Sequence, residues 1–428
     1  MTATLTAASA TPRPGLMALD EALDQLLAFA QPLVGEETVA TFDADGRVLA
    51  QDVVSALQVP PQDNSSMDGY AVRCMDVPST GTRLQVTQRI PAGHQGVALQ
   101  AGEAARIFTG APMPAGADAV VMQEDTLMVQ GLEAHAVPEV LIQVVPQNGQ
   151  WIRRSGEDVT RGSTVLHRGD RLHPASLGLA ASIGLAHLQV QRKPRVALFS
   201  TGDELVMPGD VPPQSMPAGA IYNSNRFFLR ALLHRLGCEV SDLGIVPDRR
   251  DATVAALKSA AAHHDLILTS GGVSVGEEDH VKPAVQSLGA LQLWQIGMKP
   301  GKPFAYGWVE REAGDRAHFI GLPGNPVSSF VTFLLLVRPF LLQLQGAQHT
   351  QPVRLSLPAH FDLPKADRRR EFLRVRRNAQ GGLDLFANQS SGVLTSAVWG
   401  DGLLDNPAGT TIQKGDLVSY LSFADLLS

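Results

Sequence analysis

Residues 195–341 alternate short apolar runs with amphipathic segments, and this alternation limits the possible folds more than any other feature of the chain. Buried strands are predicted at the apolar runs 196–199, 240–243, 266–268 and 319–320. Helices are predicted at 223–236, 251–262 and 280–288, and onward from Pro326. Strands that alternate with helices form a mostly parallel sheet with helices on both faces. This region is therefore predicted to be a doubly wound α/β domain.

The rest of the chain predicts further domains, because 428 residues exceed what one hydrophobic core normally organises. Short alternating runs separated by Pro and Gly predict an inserted β-rich domain at 58–151 and a C-terminal barrel-like domain at 342–428. The segments 15–57 and 152–193 flank the insertion and are predicted to form one discontinuous mixed domain. With the α/β domain at 194–341, the predicted fold class is multidomain α/β plus β.

Charge and cysteine content argue against several classes of protein. The net charge of -7 argues against a general nucleic-acid binder, although it allows a small anionic ligand in a locally basic cleft. Cys74 and Cys238 are too few for a disulfide framework, which favours a reducing compartment. No basic residue precedes Arg13, and the apolar run 333–337 is far short of a membrane span. We therefore expect a cytoplasmic protein without a membrane segment.

Three polar turns adjoin predicted strands of the α/β domain. The segment 200–204 follows the first strand, 270–276 follows the third, and 323–326 follows the last and opens a helix. Asn325 as the cap and Pro326 at the first helical position are a strong signal for that helix start. The carboxyl ends of parallel strands meet at one edge of a sheet, where ligands bind. The three turns are therefore predicted to line one cleft.

The second of these turns is predicted to hold a phosphate. Gly271 and Gly272 leave backbone N–H groups exposed, and the lack of side chains lets a phosphate approach closely. The turn has neither the Gly-Lys-Ser/Thr ending of a Walker loop nor the Gly-x-Gly-x-x-Gly of a Rossmann fold. A purely structural role for the Gly-Gly pair is the alternative.

Carboxylates cluster around this turn and indicate a metal ion. Glu204 lies in the first turn, and Glu278 and Asp279 directly follow the second. A few carboxylates, together with phosphate oxygens and water, suit Mg²⁺. We therefore predict Mg²⁺ held by Glu204 and Asp279. The alternative for Glu278 and Asp279 is stabilisation by the dipole at a helix N-terminus.

Two lysines flank a Pro-Gly corner at 299–303. Pro and Gly shape the turn, and Lys299 and Lys302 add positive charge where main-chain donors can open toward a ligand. Such a site suits an oxyanion, whereas a solvated loop is the alternative. The sequence shows no zinc ligands at the usual spacing and no pattern typical of a covalent nucleophile. The pair His263-His264 is better explained as the end of a helix, where it complements the helix dipole.

Taken together, these segments resemble one family, the molybdopterin molybdenumtransferases, which are counterparts of the gephyrin E domain. The resemblance includes two polar segments that look like surface loops on their own, 63–71 and 153–158. The matching runs follow the family order over nearly the whole chain: 63–71, 109–112, 154–158, 200–205, 270–276, 299–304 and 322–328.

The resemblance implies a reaction in which adenylated molybdopterin and molybdate become molybdenum cofactor and AMP, with Mg²⁺ as cofactor. It also implies a homodimer whose active site lies near the subunit interface. Asp68 and Thr109 of one protomer would then face the sheet domain of the other. A molybdopterin adenylyltransferase and the apoenzymes that accept the cofactor are the further partners expected.

The resemblance also implies roles for individual residues. The expected catalytic residues are Asp68, Thr109, Asp158, Glu204, Asp279, Lys299 and Lys302. The expected substrate-binding residues are Thr201, Asp265, Ser270, Gly271, Gly272, Ser274, Gly276, Pro323, Asn325, Pro326, Ser328, Arg374 and Ser391. Asp265 precedes its strand, so the pattern alone would make it a helix-end or interface residue. The last domain, which contains Arg374 and Ser391, matches the family loosely.

Two other functions compete with metal insertion. An adenylyltransferase acting on molybdopterin would use a similar α/β domain, but it would need little beyond residues 195–341. A non-catalytic assembly scaffold would bind a specific peptide and would have no need of Glu204. The outlying matches around Asp68 and Asp158 favour metal insertion over both.

Overall fold

The computed structural model describes residues 16–129, 137–272, 280–312 and 314–427. Three six-stranded sheets dominate this part of the chain. Short 3-10 turns lie at Thr41–Asp43, Cys74–Asp76, Gln123–Asp125 and Pro213–Ser215. The combination of a helix-covered sheet with two largely helix-free sheets confirms the predicted fold class, multidomain α/β plus β.

The first region begins with a helix and is built around an inserted sheet. Its elements are α1 (Leu19–Phe29), β1 (Glu36–Ala40), β2 (Val53–Val54), β3 (Asn64–Ser65), β4 (Gly69–Val72), β5 (Thr82–Ile90), β6 (Glu103–Ile107), β7 (Ala119–Met122), β8 (Thr126–Val129), β9 (Glu139–Ile142), β10 (Ile152–Arg153), β11 (Thr164–Leu166), α2 (Pro174–Ser182) and β12 (His187–Gln191). The inserted sheet has the order β7-β4-β6-β5-β9-β8. On either side of it, β1 pairs with β12, β2 with β11 and β3 with β10, so the flanking segments close on each other.

The second region contains the central sheet. Its elements are β13 (Arg195–Thr201), β14 (Leu205–Val206), β15 (Ile221–Tyr222), α3 (Asn225–Arg235), β16 (Glu239–Val246), α4 (Arg250–His263), β17 (Leu266–Ser270), α5 (Val281–Leu288), β18 (Gly289–Gln295), β19 (Met298–Lys299), β20 (Pro303–Glu310), β21 (Arg316–Leu322), α6 (Pro326–Thr332) and α7 (Arg338–Leu344). The order is β16-β13-β17-β21-β20-β18. The first four strands are parallel, and β20 and β18 are antiparallel.

Helices cover both faces of this sheet because its strand residues alternate between two hydrophobic cores. Val196 and Leu198 point into the core that holds α1, α3, α6 and α7. Ala197 and Phe199 point the other way, into the core that holds α4 and α5. A parallel strand buried on both faces is therefore apolar throughout, as the run 196–199 predicted. The doubly wound arrangement is confirmed.

Most helix boundaries lie close to their predicted positions. Pro326 is the first residue of α6, as predicted, and a π-helical turn at Phe333–Val337 joins α6 to α7. The helix α2 begins at Pro174, because proline suits the first helical turn. The combined helix Pro326–Leu344 is apolar and long enough to cross a membrane, but 94% of its most apolar window is buried in the protein, as in a core helix.

The third region is a β sheet joined directly to the second. Its elements are β22 (Arg354–Pro358), β23 (Arg370–Arg377), β24 (Leu383–Leu385), α8 (Thr395–Trp399), β25 (Gly402–Asn406), β26 (Leu417–Ser422) and α9 (Phe423–Leu426). The sheet order is β19-β23-β25-β26-β22, with β24 pairing to β23. Strand β19 leads into the Pro-Gly corner at 299–303 of the second region. Its backbone pairing with β23 therefore attaches the C-terminal sheet to that corner.

A buried ion pair anchors the chain where it enters the central sheet. Asp265 accepts two hydrogen bonds from the guanidinium of Arg192, at 2.7 and 2.8 Å, and one from the backbone N–H of Arg195 at 2.8 Å. The Asp265 side chain is only 5% exposed. Burial by itself would raise the pKa of Asp265, but the bonds from Arg192 and Arg195 outweigh it and lower the pKa.

We predict that Asp265→Asn lowers the free energy of unfolding by about 3 kcal/mol, since it leaves Arg192 without its buried partner. Urea denaturation measures this loss. Asp20→Asn is the control, because the Asp20 side chain is 76% exposed where it meets Arg370, and surface pairs contribute about 1 kcal/mol or less. Equal losses in the two variants would contradict the assignment.

The same pair has a predicted pH dependence. A carboxyl whose pKa is lowered by folding contributes its full stability above its unfolded pKa, which is about 4 for Asp. That contribution disappears as the pH falls from there through the folded pKa. The stability gap between the wild type and Asp265→Asn should therefore narrow below about pH 4. Denaturation curves collected across that range would show a constant gap if the ionised carboxylate were unimportant.

Candidate active site

The register of three parallel strands brings three polar turns to one edge of the central sheet. Ser200 of β13 pairs with Ser270 of β17, which pairs in turn with Leu322 of β21. The predicted placement of these turns at one edge is confirmed. A cleft of about 500 Å³ opens there, and its lining includes Thr201, Glu204, Ser270, Gly271, Asn325 and Pro326.

One amide at the floor of the cleft connects two of the turns to α3. Asn225, the first residue of α3, donates from Nδ2 to the hydroxyl of Ser270 at 2.7 Å and to the carbonyl of Gly324 at 2.8 Å. Asn225 is 8% exposed, so these bonds are shielded from water. The sequence predicts only a helix at 223–236 for this segment. Its partners lie 45 and 99 residues away in the chain, and no local pattern signals them.

Several buried polar atoms near the cleft have no hydrogen-bond partner within the described ranges. They are the Asn223 Nδ2, the Ser200 hydroxyl and the Thr269 hydroxyl. Buried polar groups are normally paired, so unpaired ones call for a specific explanation such as a bound ligand or water. Asn223 is 2% exposed and belongs to the cleft lining, so its free N–H can donate to a ligand.

The glycine turn after β17 is shaped by close packing. Gly272 has a φ of +67°, and a Cβ there would lie 2.5 Å from a methyl carbon of Val281 and 2.9 Å from the Thr201 hydroxyl. Only a residue without a side chain fits this position without strain. Ser274, Gly276 and Asp279, which the sequence analysis assigned to this turn or its end, lie outside the described residues.

Glu204 is the acid that the structure places at the cleft. It follows β13 in a short turn in which the N–H of Leu205 donates to the carbonyl of Gly202. Its carboxylate is exposed, and no described residue pairs with it. Within the described ranges, no group of three His, Cys, Asp or Glu side chains could enclose a metal. One open carboxylate fits a hydrated Mg²⁺ that takes its other ligands from substrate phosphates and water.

The two lysines of the Pro-Gly corner differ in their surroundings. Lys299 donates to Glu371 at 2.9 Å and to Asp367 at 3.1 Å, both from the C-terminal region. These bonds raise the pKa of Lys299, chiefly through Glu371. Lys302 is exposed, and no described residue forms an ion pair with it. Lys299 is thus a neutralised structural cation, whereas Lys302 offers a free charge.

The corner between the lysines packs tightly on α6. Gly301 has a φ of +110°, and a Cβ there would lie 2.4 Å from the hydroxyl of Thr332. Ser328, which lies one turn before Thr332, is 5% exposed. The corner is therefore held between α6 on one side and the acids of the C-terminal region on the other.

A loop of the C-terminal region reaches the cleft. The carbonyl of Ser391 accepts from the backbone N–H of Val327 at 2.9 Å, one residue after Pro326. Gly392 belongs to the lining of the cleft. The C-terminal region therefore contacts the start of α6 directly, and the cleft is shared between the two regions.

Arg374 lies behind this loop as a buried cation. Its guanidinium donates to the Ser396 hydroxyl at 3.1 Å, the Phe372 carbonyl at 3.0 Å and the Ser390 carbonyl at 3.5 Å. In the described part of the chain no carboxylate pairs with it. Burial lowers the pKa of Arg374 to about 10. A buried cation with neutral partners creates a positive potential beside the Ser390–Ser391 backbone.

Asp68 and Thr109 meet in the inserted sheet, away from this cleft. Asp68 Oδ1 accepts from the N–H and from the hydroxyl of Thr109, both at 2.8 Å, and these bonds lower the pKa of Asp68. Asp158 lies in a neighbouring loop, where its backbone N–H donates to the carbonyl of Val59. None of the described residues that line the cleft comes from these segments.

The structure does not bring Asp265 to the cleft. It precedes β17 at the opposite edge of the sheet, where it pairs with Arg192 and borders a separate opening of about 870 Å³. Two ion pairs border that opening, Arg192–Asp265 and Arg311–Asp315, and Arg316 lies 4.7 Å from the Trp308 ring. The smaller cleft, where buried polar groups are unpaired among the described residues, is the candidate active site.

This fold defines a multidomain α/β plus β protein with a polar cleft at the carboxyl ends of its parallel strands. Family models match three stretches of the chain: the MoeA N-terminal region (domain I and II) at residues 17–184, a probable molybdopterin binding domain at 197–343, and the MoeA C-terminal region (domain IV) at 356–423. The chain belongs to the molybdopterin molybdenumtransferase family, and the predicted function in molybdenum cofactor biosynthesis is confirmed.

Individual relatives support this membership. A molybdopterin molybdenumtransferase from Haemophilus influenzae is 41% identical over 84% of this chain and 85% of its own length. Molybdopterin molybdenumtransferase 2 from Mycobacterium tuberculosis is 38% identical over 89% of this chain and 95% of its own length. The crystal structure of the molybdopterin biosynthesis MoeA protein from Pyrococcus horikoshii OT3 is similar, with a TM-score of 0.80, 27% identity, and coverage of 96% of this chain and 100% of that one.

We predict that Gly272→Ala lowers the free energy of unfolding by about 2 kcal/mol, since it combines a left-handed φ with a collision against Val281. Thermal or urea unfolding measures the change. Gly324→Ala is the matched control in the neighbouring turn, because a Cβ there would meet no heavy atom within 4 Å. If both alanines were tolerated equally, the glycine turn would be less constrained than the structure indicates.

Proposed function

We propose that the protein inserts molybdate into adenylated molybdopterin and releases AMP, in a Mg²⁺-dependent reaction in the cytoplasm. The observation that carries this proposal is the shared cleft, where the unpaired Asn223 amide, a glycine turn and the open carboxylate of Glu204 converge, together with the exposed Lys302 on the Pro-Gly corner that packs on α6. Neutral donors suit a pterin and its phosphate, and an uncompensated lysine suits an oxyanion. The product would pass to apoenzymes, and an adenylyltransferase would supply the substrate.

Each part of the cleft has a distinct role in this proposal. The backbone of Ser270, Gly271 and Gly272 receives the phosphate linkage of the ligand. Asn223, Thr201 and the 323–326 turn orient the rest of the substrate. Mg²⁺ held by Glu204, with Asp279 as the expected second ligand, would neutralise charge on the leaving AMP. The attacking oxygen comes from molybdate or from water.

The direct test measures AMP release from adenylated molybdopterin by the purified protein, with and without molybdate. Release that depends on molybdate supports metal insertion. Formation of the adenylated compound from ATP and molybdopterin would support the adenylyltransferase function instead. If the folded protein catalysed neither AMP release nor adenylation of molybdopterin, a non-catalytic scaffold function would be favoured.

Lys302 and Lys299 have different roles in this proposal: Lys302 binds the anion, and Lys299 positions the Pro-Gly corner. We predict that Lys302→Ala raises the KM for molybdate about tenfold, because one charged contact contributes about 1.5 kcal/mol. Lys299→Ala should mainly lower kcat and loosen the C-terminal region, since Lys299 bonds Asp367 and Glu371. Lys258→Ala on the exposed side of α4 is the charge-matched control. A larger molybdate KM for Lys299→Ala than for Lys302→Ala would reverse these roles.

We also propose that the active site forms across a homodimer, with Asp68, Thr109 and Asp158 of one protomer facing the cleft of the other. The separation of Asp68 and Thr109 from the cleft in one chain supports this arrangement. Asp68→Asn and Glu204→Gln should each be inactive alone. Mixed together with subunit exchange, they should regain roughly a quarter of wild-type activity, because half of the dimers contain one intact site.

The control for this complementation experiment is a mixture of the wild type with the Asp68→Asn/Glu204→Gln double variant. If the active site is shared between protomers, both sites of the mixed dimer are defective, and the mixture should keep roughly a quarter of wild-type activity; a site within one chain would leave roughly half. Retention of half the activity here, or no recovery when the two single variants are mixed despite exchange, would contradict an active site shared between protomers.

A further inference from the structure

Two arginines of the inserted sheet converge on one aromatic ring. Arg89 on β5 and Arg106 on β6 are direct register partners. The Arg89 guanidinium lies 4.4 Å from the centre of the Phe108 ring, and that of Arg106 lies 4.7 Å from the same ring. We call Arg89, Arg106 and Phe108 the arginine fork. Stacking on an aromatic ring restrains both guanidinium planes, so the fork is held in place before any ligand binds.

A β-bulge is the reason that these two arginines face each other. Val86 pairs with Ala104, but the register then shifts, so that Gln88 pairs with Ala105 and Arg89 with Arg106. Without the extra residue in β5, the neutral Gln88 would lie opposite Arg106. Like charges directly opposite in a sheet are destabilising, and bulges often re-aim side chains near active sites. The fold therefore creates this unfavourable pair through a local irregularity.

The charge of the arginine fork is not neutralised by an ion pair. Arg106 donates to two neutral acceptors, the carbonyl of Gly69 at 3.1 Å and Oε1 of Gln123 at 2.6 Å. Arg89 is exposed, and among the described residues neither arginine forms a salt bridge. On the same strand, Arg83 does have an acidic neighbour, with Glu139 at 3.7 Å.

The arginine fork adjoins the Asp68–Thr109 pair. Phe108 directly precedes Thr109, and Arg106 bonds the carbonyl of Gly69, the residue after Asp68. The positive charge of Arg106 contributes, after the hydrogen bonds from Thr109, to the lowered pKa of Asp68. A second carboxylate, that of Glu124, accepts from the Gln123 amide at 3.4 Å but forms no ion pair with either arginine among the described residues.

We propose that the arginine fork is a binding site for a phosphate or pyrophosphate group. Two restrained guanidinium groups match the oxygens of phosphate through bidentate hydrogen bonds, and such an anion would relieve their mutual repulsion. If the proposed function holds, this group is the phosphate linkage of the adenylated substrate. It would be contacted by the fork of one protomer while it lies in the cleft of the other.

The test measures binding of inorganic pyrophosphate to the full-length protein by calorimetry at low ionic strength. Arg89→Gln should weaken this binding about tenfold, the loss expected for one strong charged contact. Arg89→Lys should recover only part of it, because an ammonium cannot form the bidentate contact. Arg83→Gln removes one charge from the same strand and should bind as the wild type does. Unchanged unfolding midpoints would show that all variants are folded.

The KM for adenylated molybdopterin distinguishes the two possible sources of the phosphate. If Arg89→Gln weakens pyrophosphate binding and also raises this KM, the fork contacts the substrate. If only pyrophosphate binding weakens, the fork is a phosphate site for a separate ligand, and the inference stands in that form. If Arg89→Gln bound pyrophosphate as tightly as Arg83→Gln does, the inference that the fork binds phosphate would be wrong. Pyrophosphate binding by a wild type that releases no AMP would reject the proposed function but keep the site.

Discussion

The active-site region depends on the in-register parallel pairing of β13, β17 and β21. This pairing aligns Ser200, Ser270 and Leu322, so three turns from distant parts of the chain start at the same level. Each turn contributes a different chemistry, namely an exposed carboxylate, a glycine cradle and a helix start. Asn225 then bonds two of the turns to α3. A shift in the register of β17 would separate all of these groups at once.

The C-terminal region completes the cleft through three kinds of contact with the α/β region. Backbone pairing joins β19 to β23, the carboxylates of Glu371 and Asp367 hold Lys299, and the Ser391 carbonyl receives the N–H of Val327. The contacts surround the Pro-Gly corner and the start of α6. They explain why two lysines that look equivalent in the sequence have different surroundings, one neutralised and one open.

Much of the α/β region could be predicted from sequence, because its signals are local. Apolar strand runs, the Pro326 helix start and the position of the turns at strand ends all follow from short-range patterns. The hydrogen bonds from Lys299 to Glu371 and Asp367 could not be predicted. These acids lie 72 and 68 residues away in the chain, and no local sequence pattern signals such a distant contact. Asp265 was partly predictable, because its position before its strand already separated it from the turns that follow the strands. Its partner Arg192 was not, since it lies 73 residues away.

Anomalous diffraction from crystals soaked in molybdate would test most directly whether the reaction occurs at the cleft shared by the α/β and C-terminal regions. We expect a molybdenum peak beside Lys302 of the Pro-Gly corner. A peak only in the opposite opening, beside Arg192 and Arg316, would contradict the account. The position of the metal relative to the Lys299 carboxylate partners would also show which lysine binds the anion.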